Sequence, residues 1–211
     1  MFEVLHKGHP SYGPATEFVR ENFRRTYGAD VRTFMPNFIH VKDRHDNTKA
    51  VVGYRDAANG PLYLEKYMDE PIEVAISRYL ATSVDRSEIV EVGNLAEARP
   101  GDARLAIIGA TSFFHTAGFR WVAFTGVTRL RNAFVRLGMS PKQLLEADQR
   151  RLPEEEVKQW GRYYDDGDPV ICFGSIQEGH DNLQELWAAL RDTWAAAEEA
   201  GEKVARIKKE R

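Results

Sequence analysis

Between residues 89 and 137 the hydrophobic period of the chain changes again and again within a short span, and few folds accommodate that. Ile89 to Ala96 is a short β-branched run in which Ile89, Glu91, Gly93 and Leu95 alternate with Val90, Val92, Asn94 and Ala96. The turn Arg99-Pro-Gly-Asp102 follows, and Asp102 stands where it can cap a helix over Ala103 to Ala117. Trp121 to Val127 is again apolar and strand-like, and Thr128 to Leu137 reads as a helix stopped by Gly138. Strand, helix, strand, helix in this order makes a right-handed crossover between two parallel neighbours. The sequence therefore specifies an α/β domain. Within the first strand a carboxylate, Glu91, lies among apolar residues, and Gly93 signals a bulge or a close backbone approach.

The flanking segments fit one mixed sheet. Pro14 to Gly28 is helical, with Phe18, Val19 and Phe23 on one stripe. Asn37–Val41 and Ala50–Tyr54 alternate on either side of Asp46-Asn47 as a β-hairpin. Leu62 to Tyr67 reads as a strand or extended segment, Ile72 to Ala81 as a helix, and Pro169 to Ile176 as the last strand. From Asn182 onward Leu183, Leu186, Trp187, Leu190 and Trp194 form a helical stripe ahead of a charged tail. The expected division is a domain over residues 1–180 and a C-terminal amphipathic helix and tail over 181–211.

Composition narrows the function classes. With 211 residues and 43% hydrophobic content, the chain has enough material for one buried core. A net charge of -3 gives no reason to expect nucleic acid as a partner. The charge is uneven, however. Residues 103–145 contain no Asp or Glu but hold Arg104, Arg120, Arg129, Arg131, Arg136 and Lys142, so +6 stands against -9 elsewhere. That block is either a half-buried segment without acids or a surface for a phosphate or an acidic partner. One cysteine, Cys172, rules out an internal disulfide, and its strand position suits a small buried hydrophobe. The N-terminus lacks a secretory pattern and no apolar run has the length of a membrane span, so a soluble, cytoplasmic protein is expected. His6 with His9 in a Pro-rich terminus, and His40 with His45 across a turn, lack the carboxylate partners of a metal site, so no metal is expected.

Four separated motifs carry a resemblance. Glu91-Val-Gly-Asn-Leu-Ala96, Gly118-Phe-Arg-Trp-Val-Ala-Phe-Thr125, Leu130-Arg-Asn-Ala-Phe-Val-Arg-Leu-Gly-Met139 and Trp160-Gly-Arg-Tyr-Tyr164 occur in the order found in the thermostable hemolysin family, which this chain resembles over roughly residues 15–176. That family in turn resembles the acyl-homoserine-lactone synthases, whose strand reads Glu-x-Ser-Arg-Phe-Ala. The resemblance implies an N-acetyltransferase-like (GNAT) fold: a mixed central sheet splayed between two parallel strands, flanked by helices, with an acyl thioester bound in the splay. Asn94 stands in place of the synthases' arginine, so their acceptor does not carry over.

On this basis the chain is expected to be an N-acyltransferase that moves a fatty acyl group from an acyl carrier protein, or from coenzyme A, to the amine of a small acceptor such as an amino acid. No permanently bound cofactor is implied; the acyl-phosphopantetheine thioester is a co-substrate. Glu91 is the expected base and Asn94 the group that orients the acceptor. Gly93, Leu95, Phe124, Thr125, Trp160, Tyr163 and Tyr164 are the expected substrate contacts. Arg104, Arg129, Arg131 and Arg136 are the expected dock for the carrier or its phosphate, and the turn before Arg104 lacks a Gly-rich pyrophosphate loop. Each also has a structural reading: Glu91 as a strand carboxylate paired with an arginine, Asn94 as a turn residue, the aromatic group as core. Two other functions stay open, a membrane-active hemolysin working through the C-terminal helix and a non-catalytic acyl-thioester-binding module. A homodimer through that helix is open as well.

Overall fold

A computed structural model describes residues 1–209. Seven strands form a single sheet: β1 (Phe2–His6), β2 (Asn37–Lys42), β3 (Thr48–Asp56), β4 (Ile89–Glu97), β5 (Trp121–Gly126), β6 (Lys142–Glu146) and β7 (Val170–Ser175), in the spatial order β1-β2-β3-β4-β5-β7-β6. Only β4 and β5 are parallel; every other pairing is antiparallel. Their link is α3 (Ala103–Thr116), the crossover that the changes of period imply.

The parallel pair is short. β4 and β5 stay in register from Ile89↔Trp121 to Val92↔Phe124, and beyond that β4 continues against β3 alone. The two strands therefore part after Val92, and backbone groups on the facing edges lose their ladder partners. A bulge reinforces the parting: Val51 faces Ala96 and Gly53 faces Gly93, so Asn94 and Leu95 together oppose one residue of β3. Asn94 takes φ +50, a left-handed conformation that asparagine tolerates well.

Helices cover both faces. On one lie α1 (Tyr12–Tyr27) and α2 (Ile72–Leu80), packed over Ile89, Ala96 and Ala123. On the other lies α3, whose Ala106, Ala110 and Phe114 pack on Val52 and Val90. The helix α4 (Thr128–Arg136) follows β5 and sends Phe134 against Phe124, with ring centroids 4.8 Å apart. Two short helices, α5 (Glu154–Val157) and α6 (Tyr163–Gly167), bracket the aromatic motif.

Two edge strands join the expected elements and two local expectations change. At the N-terminus, residues 2–6 add an edge strand to the hairpin, and Leu5 is fully buried. Residues 142–146 form the other edge, a strand whose polar sequence hid it. Residues 64–67 form a 3-10 turn rather than a strand. The C-terminal helix α7 (Ile176–Lys209) begins directly after β7, well before the expected start at Asn182. Leu183 is buried against Ile107, Leu137 and Met139, whereas Leu186, Trp187, Leu190 and Trp194 are exposed, Trp194 by 69%. Residues 210 and 211 of the charged tail lie outside the described residues.

Candidate active site

The parting of β4 from β5 opens a cavity of about 600 Å³ that passes through the sheet and is lined on both faces. Strand parity sorts its walls. Val92 and Val122 face α3, and with Val52, Ala106, Ala110, Phe114, Phe134 and Met139 they make an apolar lobe. Glu91 and Thr125 point to the opposite face, where Arg55, Phe23, Tyr27, Tyr63, Tyr67, Trp160 and Tyr163 make a lobe that is aromatic and polar.

Glu91 is the buried charge between them, 2% exposed. Its Oε2 accepts from the backbone N–H of Tyr63 at 2.9 Å and its Oε1 from that of Leu64 at 2.8 Å. These two donors come from the turn that leads into residues 64–67, which has amides to spare because it is not a strand. Burial pushes the carboxyl up to about 7, against the pull of the two amides and of the Arg55 guanidinium. A carboxylate balanced near neutrality, accessible from a cavity, suits general-base work.

Asn94 holds the wall of the site. Its Oδ1 accepts from Met35 N at 2.8 Å and its Nδ2 donates to Thr33 O at 3.4 Å, which ties the segment before β2 across the sheet. Met35 in turn fills the space above two facing glycines. A Cβ on Gly53 would lie 2.7 Å from Met35 Cβ, and one on Gly93 2.8 Å from its Cε. The signal read at Gly93 thus reports both a close approach and a bulge one residue further on.

The aromatic motif is one bonded group. Trp160 Nε1 donates to Tyr63 Oη at 3.1 Å, and the hydroxyls of Tyr67 and Tyr164 lie 2.5 Å apart. Trp160 and Tyr163 line the cavity, while Tyr164 packs behind Tyr67 and does not reach it. Gly161 between them has φ +53, and a Cβ there would clash with the backbone oxygen of Tyr27. No other residue type fits that position.

The basic block is divided. Arg104, Arg129 and Arg136 line the cavity mouth. Arg131 does not: its guanidinium donates to Gly126 O at 2.6 Å and Asp168 O at 2.7 Å, so it braces the end of β5 rather than a dock. Asp102 provides no cap for α3. Glu97 does, its Oε2 accepting from Gly101 N at 2.9 Å and Ala103 N at 3.1 Å, and the same carboxylate is bonded to Arg129. The anion position at the start of α3 is therefore filled from within the chain. Cys172 is fully buried and its thiol is pushed up to about 11, as suits a core residue. The rings of His6 and His9 stand 6.1 Å apart, and no group of three His, Cys, Asp or Glu side chains able to hold a metal occurs among the described residues.

A mixed seven-stranded sheet splayed between two parallel strands and flanked by helices is the N-acetyltransferase-like fold, in the form seen in acyl-homoserine lactone synthases. The chain belongs to the thermostable hemolysin family, whose model matches residues 5–180. Similar solved structures include apo TofI, with TM-score 0.57, 14% identity, and coverage of 87% of this chain and 96% of that one. FeeM, an N-acyl amino acid synthase from uncultured soil microbes, matches with TM-score 0.56 and 12% identity over 86% of this chain and 98% of its own. BjaI, a coenzyme A-dependent acyl-homoserine lactone synthase solved with SAM and isopentyl-CoA, matches with TM-score 0.55 and 13% identity over 88% of each chain. A search of functionally curated proteins finds no match. At these identities the likeness establishes the fold.

Proposed function

We propose that the protein is an N-acyltransferase that moves a fatty acyl group from a phosphopantetheine thioester to the amine of a small acceptor. The observation that carries this is the buried Glu91 carboxylate at the fork of a two-lobed cavity. The acyl chain occupies the α3-face lobe, whose inner wall is apolar, and the acceptor occupies the other, where Glu91 and Arg55 lie. The neutral amine attacks the thioester carbonyl at the fork. As the N–C bond forms, the surplus proton on nitrogen passes to Glu91. The C–S bond then breaks and the thiolate leaves, taking up the proton that Glu91 gained. Unpaired backbone N–H groups of β4 beyond Val92 are the donors available to the oxyanion. Asn94 acts through Met35 and Thr33 as a positioning residue.

BjaI and FeeM support the reading as fold relatives, one named for a coenzyme A thioester and the other for an N-acyl amino acid product. We keep acyl carrier protein as the donor. Glu97 blocks the α3 anion position that a pyrophosphate would use, and Arg104 and Arg136 at the mouth are free for an acidic carrier. The test is turnover of Glu91→Gln with an acyl thioester and a panel of amines, alongside its thermal unfolding. A loss of about 10² or more in kcat/KM from a folded variant is expected. Wild-type turnover in a folded Glu91→Gln protein overturns the assignment. A second reading, contact with a membrane surface, rests on the exposed Leu186, Trp187, Leu190 and Trp194. No helix among the described residues is long and apolar enough to cross a membrane.

A further inference from the structure

Arg55 is the cation that the sequence did not single out, and its position is unlike that of the other arginines. It is directly opposite Glu91 in the antiparallel pairing of β3 with β4, so the two side chains leave the same face of the sheet, and both line the cavity. Its Nη1 donates to Pro61 O at 2.6 Å, which fixes one edge of the guanidinium. Among the described residues it forms no ion pair. Arg86, on the same side of the sheet, is by contrast saturated by Glu65 and Glu73, Arg131 by Asp168 and carbonyls, and Arg129 by Glu97. Arg104 and Arg136 lie at the mouth, on the side of α3 and α4. Among the described residues the aromatic lobe thus contains one guanidinium without an ion-pair partner, next to the proposed base, among walls of Phe23, Tyr27, Tyr67 and Trp160 that cannot neutralise it.

A partly desolvated guanidinium is costly to leave without an anion, and its planar fork matches a carboxylate. Glu91 does not serve as that anion: the amides of Tyr63 and Leu64 hold its carboxylate, and no ion pair joins it to Arg55 among the described residues. Resting on the acyltransfer proposed above, we propose that Arg55 binds the carboxylate of the acceptor, so that the substrate class is an amine bearing a carboxylate on a neighbouring carbon, an amino acid. Bound this way, the amine falls beside Glu91 while the acceptor's side chain lies against the aromatic wall. The pair reads the two polar groups of one small molecule, Arg55 the anion and Glu91 the nitrogen.

Matched acceptors test this on the full chain. With decanoyl-pantetheine thioester as donor, phenylalanine and phenethylamine differ only in the carboxylate. The wild type is expected to favour phenylalanine by at least about tenfold in kcat/KM, in line with one charge-assisted bidentate contact. Arg55→Gln should raise KM for phenylalanine by a similar factor and so abolish its preference over phenethylamine, any loss common to both acceptors reporting the lost pull of the guanidinium on Glu91, and Arg55→Lys should restore part of the preference. Equal losses for both acceptors would assign Arg55 to tuning Glu91 and overturn the proposal, as would a wild type with no preference. Calorimetric titration of phenylalanine and phenethylamine into Glu91→Gln keeps the two ideas apart. Carboxylate-dependent binding that vanishes with Arg55→Gln upholds the subsite even if no acyl transfer is found. Binding of both molecules with equal affinity refutes it whatever the turnover.

Discussion

The two lobes of the cavity are built from different kinds of chain. The α3-face lobe is made of regular elements, a helix over strands, and its wall is methyl groups and rings: Val52, Ala106, Ala110, Phe114. The aromatic lobe is made largely of irregular segments, residues 29–36, 57–67 and 158–164, clamped to the sheet by specific bonds such as Met35 N to Asn94 and Tyr63 N to Glu91. A wall of packed helix and strand is selective by shape, while a wall of loops held by polar bonds positions charge. The difference fits the proposed acyltransfer, in which the donor is taken as a length of hydrocarbon and the acceptor as a pattern of charges.

The largest effect that would break this division lies at the fork. Glu91 must be ionised to take a proton, so kcat/KM referred to the neutral amine is expected to rise with pH through about 7 and to level above it. Stability moves the opposite way. The raised carboxyl means that the fold favours the protonated form, so this contribution is complete below the ordinary pKa near 4.5 and is lost as pH rises through about 7. Denaturant unfolding of wild type between pH 4 and 8 should show that decline, and Glu91→Gln should flatten it. The variant also starts lower, because its amide turns a donor towards one of the Tyr63 and Leu64 N–H groups that the carboxylate accepts, at a cost of about 1–3 kcal/mol. An activity profile indifferent to pH around 7 would remove Glu91 from proton transfer.

Next in size is the apolar lobe. Ala110→Phe places a ring where α3 now presents a methyl group to the cavity. Reaction with a decanoyl thioester should fall by more than about tenfold while an acetyl or butyryl thioester is used nearly as before, since a filled pocket rejects only what must occupy it. Uniform loss across chain lengths would instead mean that the acyl group lies among the aromatics, and the lobes would exchange roles.

The same contrast explains what could be read from the sequence. The crossover and the α3 wall follow from periods of two and 3.6, which lie in the order of residues themselves, whereas the splay came only with the resemblance to the synthases. Glu91 stood out because a carboxylate interrupts such a period. Arg55 did not, being one residue past the point where alternation fades in β3. Met35 and Glu97 had no local signal at all. Met35 matters because Gly53 and Gly93 come together only when β3 and β4 pair, and Glu97 because its helix start lies across a turn that Asp102 was better placed to cap by spacing alone. Arg131 and Arg136 look alike in sequence, five residues apart on one helix, and only the fold turns one to Asp168 and the other to the cavity mouth. Long-range polar bonds have no period, so the lobe they build was the less legible one.

The smallest expected effect concerns the mouth. Glu97 caps α3 and is bonded to Arg129, which bridges the open ends of β4 and β5, so Arg129→Glu would set two carboxylates together and disturb the fork as well as any dock. Arg136→Glu is the cleaner probe, because Arg136 forms no ion pair among the described residues. If an acidic carrier protein docks there, the substitution should slow acyl transfer from the carrier by a few-fold to about tenfold, and the loss should shrink as salt rises. The reason is that exposed charges are screened over a Debye length of about 8 Å at physiological ionic strength. Transfer from a short acyl-pantetheine thioester, which brings no protein surface, should be unchanged. Equal slowing of both donors would place Arg136 in the acyl lobe's own architecture, and a faster reaction with acyl-coenzyme A that ignores Arg136 would show that the donor is chosen by the hydrocarbon lobe alone.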